Sequence, residues 1–81
     1  MLKIYGSMLC KDCVACRKEL DQAGVAYEFL DFADSLVNLK TFLSLRDNNS
    51  QFSKIRETGK IGIPCIVGDD GEILLEWDSF L

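Results

Sequence analysis

Cysteines stand at positions 10, 13 and 16 within the stretch GSMLCKDCVACRKEL (residues 6 to 20), and a fourth, Cys65, follows the only proline of the chain. Thiols so spaced are suited to two-electron disulfide exchange, to metal ligation, or to apolar packing. The 81 residues contain no histidine. That excludes Cys-His nucleophilic catalysis, Cys2His2 zinc coordination and a histidine general base. Four cysteines in 81 residues fall below the density of a disulfide scaffold. In a reducing compartment, paired cysteines are more often catalytic, redox-sensing or metal-binding than structural.

The pair Cys10 and Cys13 carries the chemistry. With Cys10 at the mouth of a helix and Cys13 one turn inside it, the α-carbons come near the separation that a disulfide requires. The helix start supplies unpaired N–H groups and the positive end of the macrodipole, and both favour a thiolate. A thiolate is the attacking species in disulfide exchange. Cys10, nearer the solvent end, is expected to be the nucleophile and Cys13 the resolving thiol. Lys11 and Arg17 add positive charge nearby, and Asp12 opposes it. Cys16 lies about 40° from Leu20 on a helical wheel, on the stripe that should face a sheet, so it reads as a core thiol. Cys65 also reads as packing.

The elements that must hold these thiols follow from pattern. Lys3 to Tyr5, before Gly6-Ser7, suits a buried strand and the turn leaving it. From about Lys11 to Ala23 the periodicity is helical, with Cys13, Cys16, Leu20 and Ala23 on one stripe and Gly24 placed for a left-handed cap. VAYEFLDF (25 to 32) reads as a second strand. Asp34 or Ser35 can cap a helix whose apolar residues are Leu36, Leu39, Phe42 and Leu43. RDNNS (46 to 50) is a polar break, and QFSKIRET is a short helix closed by Gly59. IGIPCIV (61 to 67) is a third strand, and EILLEW a fourth after an Asp69-Asp70-Gly71 hairpin turn. The first two strands should be parallel, with a right-handed crossover, and the last two antiparallel. The result is one α/β domain over residues 1 to 81, a mixed sheet with helices on its faces.

Proline inside an apolar strand removes a ladder hydrogen bond and suits an edge or a strand start. Its functional counterpart is a cis peptide between Ile63 and Pro64, presenting a backbone N–H and C=O to an incoming extended chain.

Three segments together resemble a glutaredoxin of the thioredoxin superfamily. They are Cys10-Lys11-Asp12-Cys13 after the first strand, GVAYEFLDF as the second strand, and TGKIGIPCIVGDDGEI (58 to 73) as the proline strand and hairpin. The resemblance covers nearly the whole chain. It implies a thioredoxin-like, glutaredoxin-type four-stranded mixed sheet flanked by helices, with the C-terminal helix truncated or absent. It further implies thiol-disulfide exchange, with Cys10 as nucleophile, Cys13 as resolving thiol, and Lys11, Ile63 and Pro64 at the substrate. No tightly bound cofactor is expected; glutathione is the candidate reductant. Departures from the family pattern are Ser7 where a lysine is usual, Lys11-Asp12 between the cysteines, and EWDSF where a glycine pair and aspartate usually open the last helix.

Charge and hydropathy bound the partners. Nine basic against 13 acidic residues give a net charge of −4, with no basic cluster for a nucleic-acid backbone. No apolar run is long enough to span a bilayer, and the N-terminus lacks a signal-peptide layout. The expected protein is a cytoplasmic monomer acting on a disulfide-containing protein or small thiol, away from nucleic acid and membranes. Two other readings compete. A cysteine-based metal or iron–sulfur module would use Cys10, Cys13 and a third thiolate. An adaptor would use the apolar residues Trp77 and Phe80 as a recognition face.

Overall fold

Alternation along two central strands decides the architecture. The computed structural model describes residues 1–81. In β1 (Leu2–Gly6) and β3 (Cys65–Val67), neighbouring side chains enter opposite faces of one sheet. Ile4 and Ile66 bury against α1 (Lys11–Gln22), with Cys16 and Leu20. Tyr5 and Cys65 bury on the other face with Phe42 of α2 (Leu36–Asn48), with Phe52, and with Ile73. Partly buried Ile55 of α3 (Ser53–Thr58) packs there too. The sheet is completed by β2 (Tyr27–Asp31) and β4 (Ile73–Leu74), in the order β2-β1-β3-β4. The protein is therefore an α/β fold with a four-stranded mixed sheet and three helices, and each sheet face has its own core.

β1 and β2 run parallel in the register Leu2 to Tyr27 through Gly6 to Asp31. β3 is antiparallel to β1, and β4 to β3. Local signals operate where expected. Gly24, Gly59 and Gly71 all take positive φ, closing α1, closing α3 and turning the last hairpin. The Ser35 hydroxyl accepts the Val37 N–H at 3.1 Å and caps α2.

Other expectations give way to tertiary geometry. The third strand is Cys65–Val67 rather than 61 to 67. Pro64 brings no N–H and Gly62 has φ 96°, so the segment before Cys65 cannot join the ladder. The fourth strand stops at Leu74 instead of reaching Trp77. Pairing with β3 ends at Leu74 opposite Ile66, and the Trp77 indole N–H donates to Glu19 Oε2 on α1 at 3.0 Å. Trp77 and Phe80 consequently pack half-buried against the Ile4, Cys16, Leu20 and Ile66 core, with a 3-10 turn at Asp78–Phe80. They do not form the free face an adaptor would need. Ala23, assigned to the buried stripe of α1, is exposed beyond the helix end. In α2 only Phe42 is fully buried; Leu36 and Leu43 face solvent, and the helix runs to Asn48, into the expected polar break. No helix is long and apolar enough to cross a membrane.

Candidate active site

Cys10 occupies the N-cap of α1 in extended conformation, with φ −95° and ψ 124°. Its N–H donates to the Ser7 carbonyl at 3.1 Å, and its own carbonyl accepts from Val14 at 3.1 Å. The Ser7 hydroxyl accepts the Leu9 N–H at 3.1 Å, tightening the turn between β1 and α1. The Cys10 side chain is not spent on capping. It therefore stays available at the positive end of the helix, where the first-turn N–H groups lack intrahelical acceptors.

Cys13 lies one turn further in and is fully buried, whereas Cys10 is partly exposed; both are free thiols. The Cys10 side chain lies near enough to disfavour ionisation of Cys13. Burial is the main influence on the Cys13 thiol, and it outweighs the Ser7 backbone N–H that favours the thiolate, so the pKa is pushed up to about 12. As the helical spacing suggests, the fold sets the two sulfurs in series, Cys10 at the mouth and partly exposed, Cys13 one turn inside and buried.

Gly6 makes room for the inner sulfur. A Cβ at position 6 would lie 2.6 Å from Cys13 Sγ, so any side chain there forces the sulfur to move. We expect Gly6→Ala to lower stability by roughly 1 to 3 kcal/mol, as overpacking does, and to slow closure of a Cys10–Cys13 disulfide. Urea unfolding and stopped-flow oxidation of the reduced variant check the two effects. Ordinary closure in the variant would mean that the sulfur has slack.

The remaining thiols do not join the pair. Cys16 is fully buried on the α1 face, and burial, with the Glu19 charge second, pushes its pKa up to about 11. Cys65 is fully buried on the opposite face, and burial pushes it up to about 12. Both are core thiols, Cys16 as its place on the helical stripe suggests and Cys65 as a packing residue of its strand. No three Cys, Asp or Glu side chains converge as a metal-holding group, and Cys16 and Cys65 are separated by the sheet itself.

Two clefts meet at Cys10. One, of about 510 Å³, runs along Gly59 to Pro64 and includes Asp12, Ile55, Leu75 and Glu76. The other, of about 500 Å³, is apolar and lined by Ser7, Leu9, Cys10, Phe32, Ile61 and Ile63. The Ile63–Pro64 peptide is cis. Ile63 and Pro64 are thus brought to Cys10 as expected, while Lys11 is exposed on the first turn of α1 and lines neither cleft. Arg17, expected to add charge near the cysteines, is held over the Phe29 ring at 4.5 Å and donates to the Tyr27 hydroxyl at 3.3 Å and to Met8 Sδ at 3.2 Å. It belongs to the seam between α1 and β2.

Sequence reasoning missed what fixes the cleft wall. Arg46 of α2 donates from Nη2 to the Lys60 carbonyl at 2.7 Å, and Arg56 in turn donates to the Arg46 carbonyl. Gly62 passes so close to α3 that a Cβ would meet the Phe52 ring at 3.1 Å and Ile55 at 3.2 Å. Beyond this anchor, the backbone N–H and C=O groups of Ile61, Gly62 and Ile63 have no hydrogen-bond partner within the chain. The glycine was a legible signal, lying between Ile61 and Ile63 just before the proline. Arg46 carried none.

An uncharacterized protein of Haemophilus influenzae is 36% identical to this chain over 73 residues, covering 90% of this chain and 85% of the relative. The chain belongs to the same family as that protein. No protein-family model matches the chain, and no solved structure does.

Proposed function

We propose that this family member is a thiol-disulfide oxidoreductase with a thioredoxin-like, glutaredoxin-type fold, reducing protein or low-molecular-weight disulfides through Cys10 and Cys13. One observation carries the reading: a partly exposed Cys10 at a helix N-cap, with the buried Cys13 near it one turn inward and Pro64 lining the same cleft.

The chemistry is a pair of displacements. The Cys10 thiolate attacks one sulfur of the substrate disulfide, forming a mixed disulfide and expelling the other sulfur as a thiolate, which takes a proton from water. Cys13, deprotonated, then attacks the Cys10 sulfur. An intramolecular disulfide forms and the second substrate thiolate leaves. Two electrons pass from the dithiol to the substrate. A thiol reductant or a dithiol reductase returns them. The role of the protein is proximity, since the second step is intramolecular.

A metal or iron–sulfur module is the weaker reading, because the third thiolate it requires is sequestered in one core or the other. Redox titration tests the proposal: in graded dithiothreitol buffers the protein should show a single two-electron transition, with a Cys10–Cys13 disulfide by mass spectrometry. If no such disulfide forms in any buffer, the reading is lost.

A further inference from the structure

The two clefts at Cys10 differ in character, and the difference selects a substrate. On one side the wall is apolar and open: Leu9 is 97% exposed and Ile61 59% exposed, with Phe32 and Ile63 between them. Large apolar side chains so exposed around a reactive group are costly to leave in water and mark a contact surface. On the other side the charged residues are Asp12, Glu76 and Lys60, two carboxylates against one ammonium. Between the clefts, Ile61 to Ile63 offer unpaired backbone donors and acceptors, the complement of an extended polypeptide rather than of a compact small molecule.

Resting on the oxidoreductase reading above, we infer that the preferred substrate is a polypeptide disulfide whose reacting cysteine has an apolar residue on one side and a basic residue on the other. The apolar neighbour fills the cleft of Leu9, Phe32 and Ile61. The basic neighbour meets Asp12 and Glu76. The segment between them pairs with the backbone of Ile61 to Ile63. Glutathione disulfide fits poorly on the same grounds. Each of its halves carries two carboxylates and one ammonium, so its net negative charge meets a wall that is itself net negative, and it has no apolar side chain for the other cleft.

The test compares kcat/KM of the reduced protein for three probes: a disulfide-linked peptide with leucine and arginine flanking the cysteine, the same peptide with aspartate at both positions, and glutathione disulfide. The leucine–arginine peptide should react faster than either of the others by about tenfold or more, the scale of discrimination an apolar pocket supplies. Leu9→Ser, at a position almost wholly in solvent, should lower the ratio of leucine–arginine peptide to glutathione disulfide. The double variant D12N/E76Q should lower it again by raising the glutathione rate. Equal rates for the three probes, or a ratio that neither variant moves, would overturn the substrate assignment while leaving the oxidoreductase intact. If none of the three disulfides is reduced, both readings fall together.

Discussion

Replacing Cys10 with serine is expected to reduce disulfide exchange to the uncatalysed background, whereas Cys13→Ser should complete the first step and stop. The asymmetry follows from burial. Cys10 borders both clefts and is the sulfur a substrate can reach. Cys13 is fully enclosed and can attack only what is attached to its neighbour. In the Cys13→Ser protein the mixed disulfide should therefore accumulate, adding the mass of one substrate half per chain. The native protein should pass through the same species without storing it. A second signature is pH dependence of the closing step. Burial, the largest cause of the raised Cys13 pKa of about 12 in the reduced protein, also disfavours its thiolate in the mixed disulfide. The reactive fraction, and with it the closing rate, should rise about tenfold per pH unit across the neutral and mildly alkaline range. Exchange surviving in Cys10→Ser, or a closing rate flat with pH, would contradict the serial arrangement of the two sulfurs.

The second large effect concerns stability. Three thiols, Cys13, Cys16 and Cys65, have folded pKa values of about 12, 11 and 12 against an ordinary 9.0, in each case chiefly through burial. Below pH 9 folded and unfolded chains hold the same protons at these groups and nothing depends on pH. Above it, the unfolded chain loses protons that the native chain keeps, so stability falls as pH rises. Across the window from pH 9 to 11 the three together should remove roughly 3 kcal/mol per pH unit. Tyr5, its hydroxyl also raised by burial, acts in the same direction above pH 10. Domains of this kind typically have about 5 to 15 kcal/mol to lose. Urea midpoints measured from pH 8 to 11 should show a plateau and then a steep fall, with unfolding well before the native thiols titrate. Cys65→Val, which keeps an apolar side chain in the same core, should remove about a third of the slope. Stability unchanged up to pH 11 would mean that these thiols are not buried as described.

The sequence was most informative where structure is local. Helical spacing placed Cys16 and Leu20 inward, Gly24 and Gly59 marked helix ends, and the Asp69 to Gly71 turn located the last hairpin. Errors came where a distant partner decides. EILLEW has strand composition throughout and predicts a strand to Trp77, yet pairing stops at Leu74 opposite Ile66, and the indole goes to Glu19. Ile61 and Ile63 resemble strand residues and are instead the rim of the site. Leu36 and Leu43 carry helical periodicity but lie where the sheet does not reach. At the site itself, the cysteine pair was legible from its spacing, and Pro64 from its place in an apolar strand together with the family resemblance. The Arg46 tether and the gap at Gly6 depend on how α2 and α1 approach the sheet, which no window of residues encodes.

The placing of Cys13 behind Cys10 bears also on survival under peroxide. An exposed thiolate is oxidised first to a sulfenic acid, and further oxidant carries it to acids that thiols do not restore. Here the neighbouring sulfur can condense with that first product, releasing water and sealing the pair as a reversible disulfide. Cys16 and Cys65, walled off on either side of the sheet, stay out of the reaction. Among the four thiols of the chain, its surroundings thus meet a single fuse, one that resets.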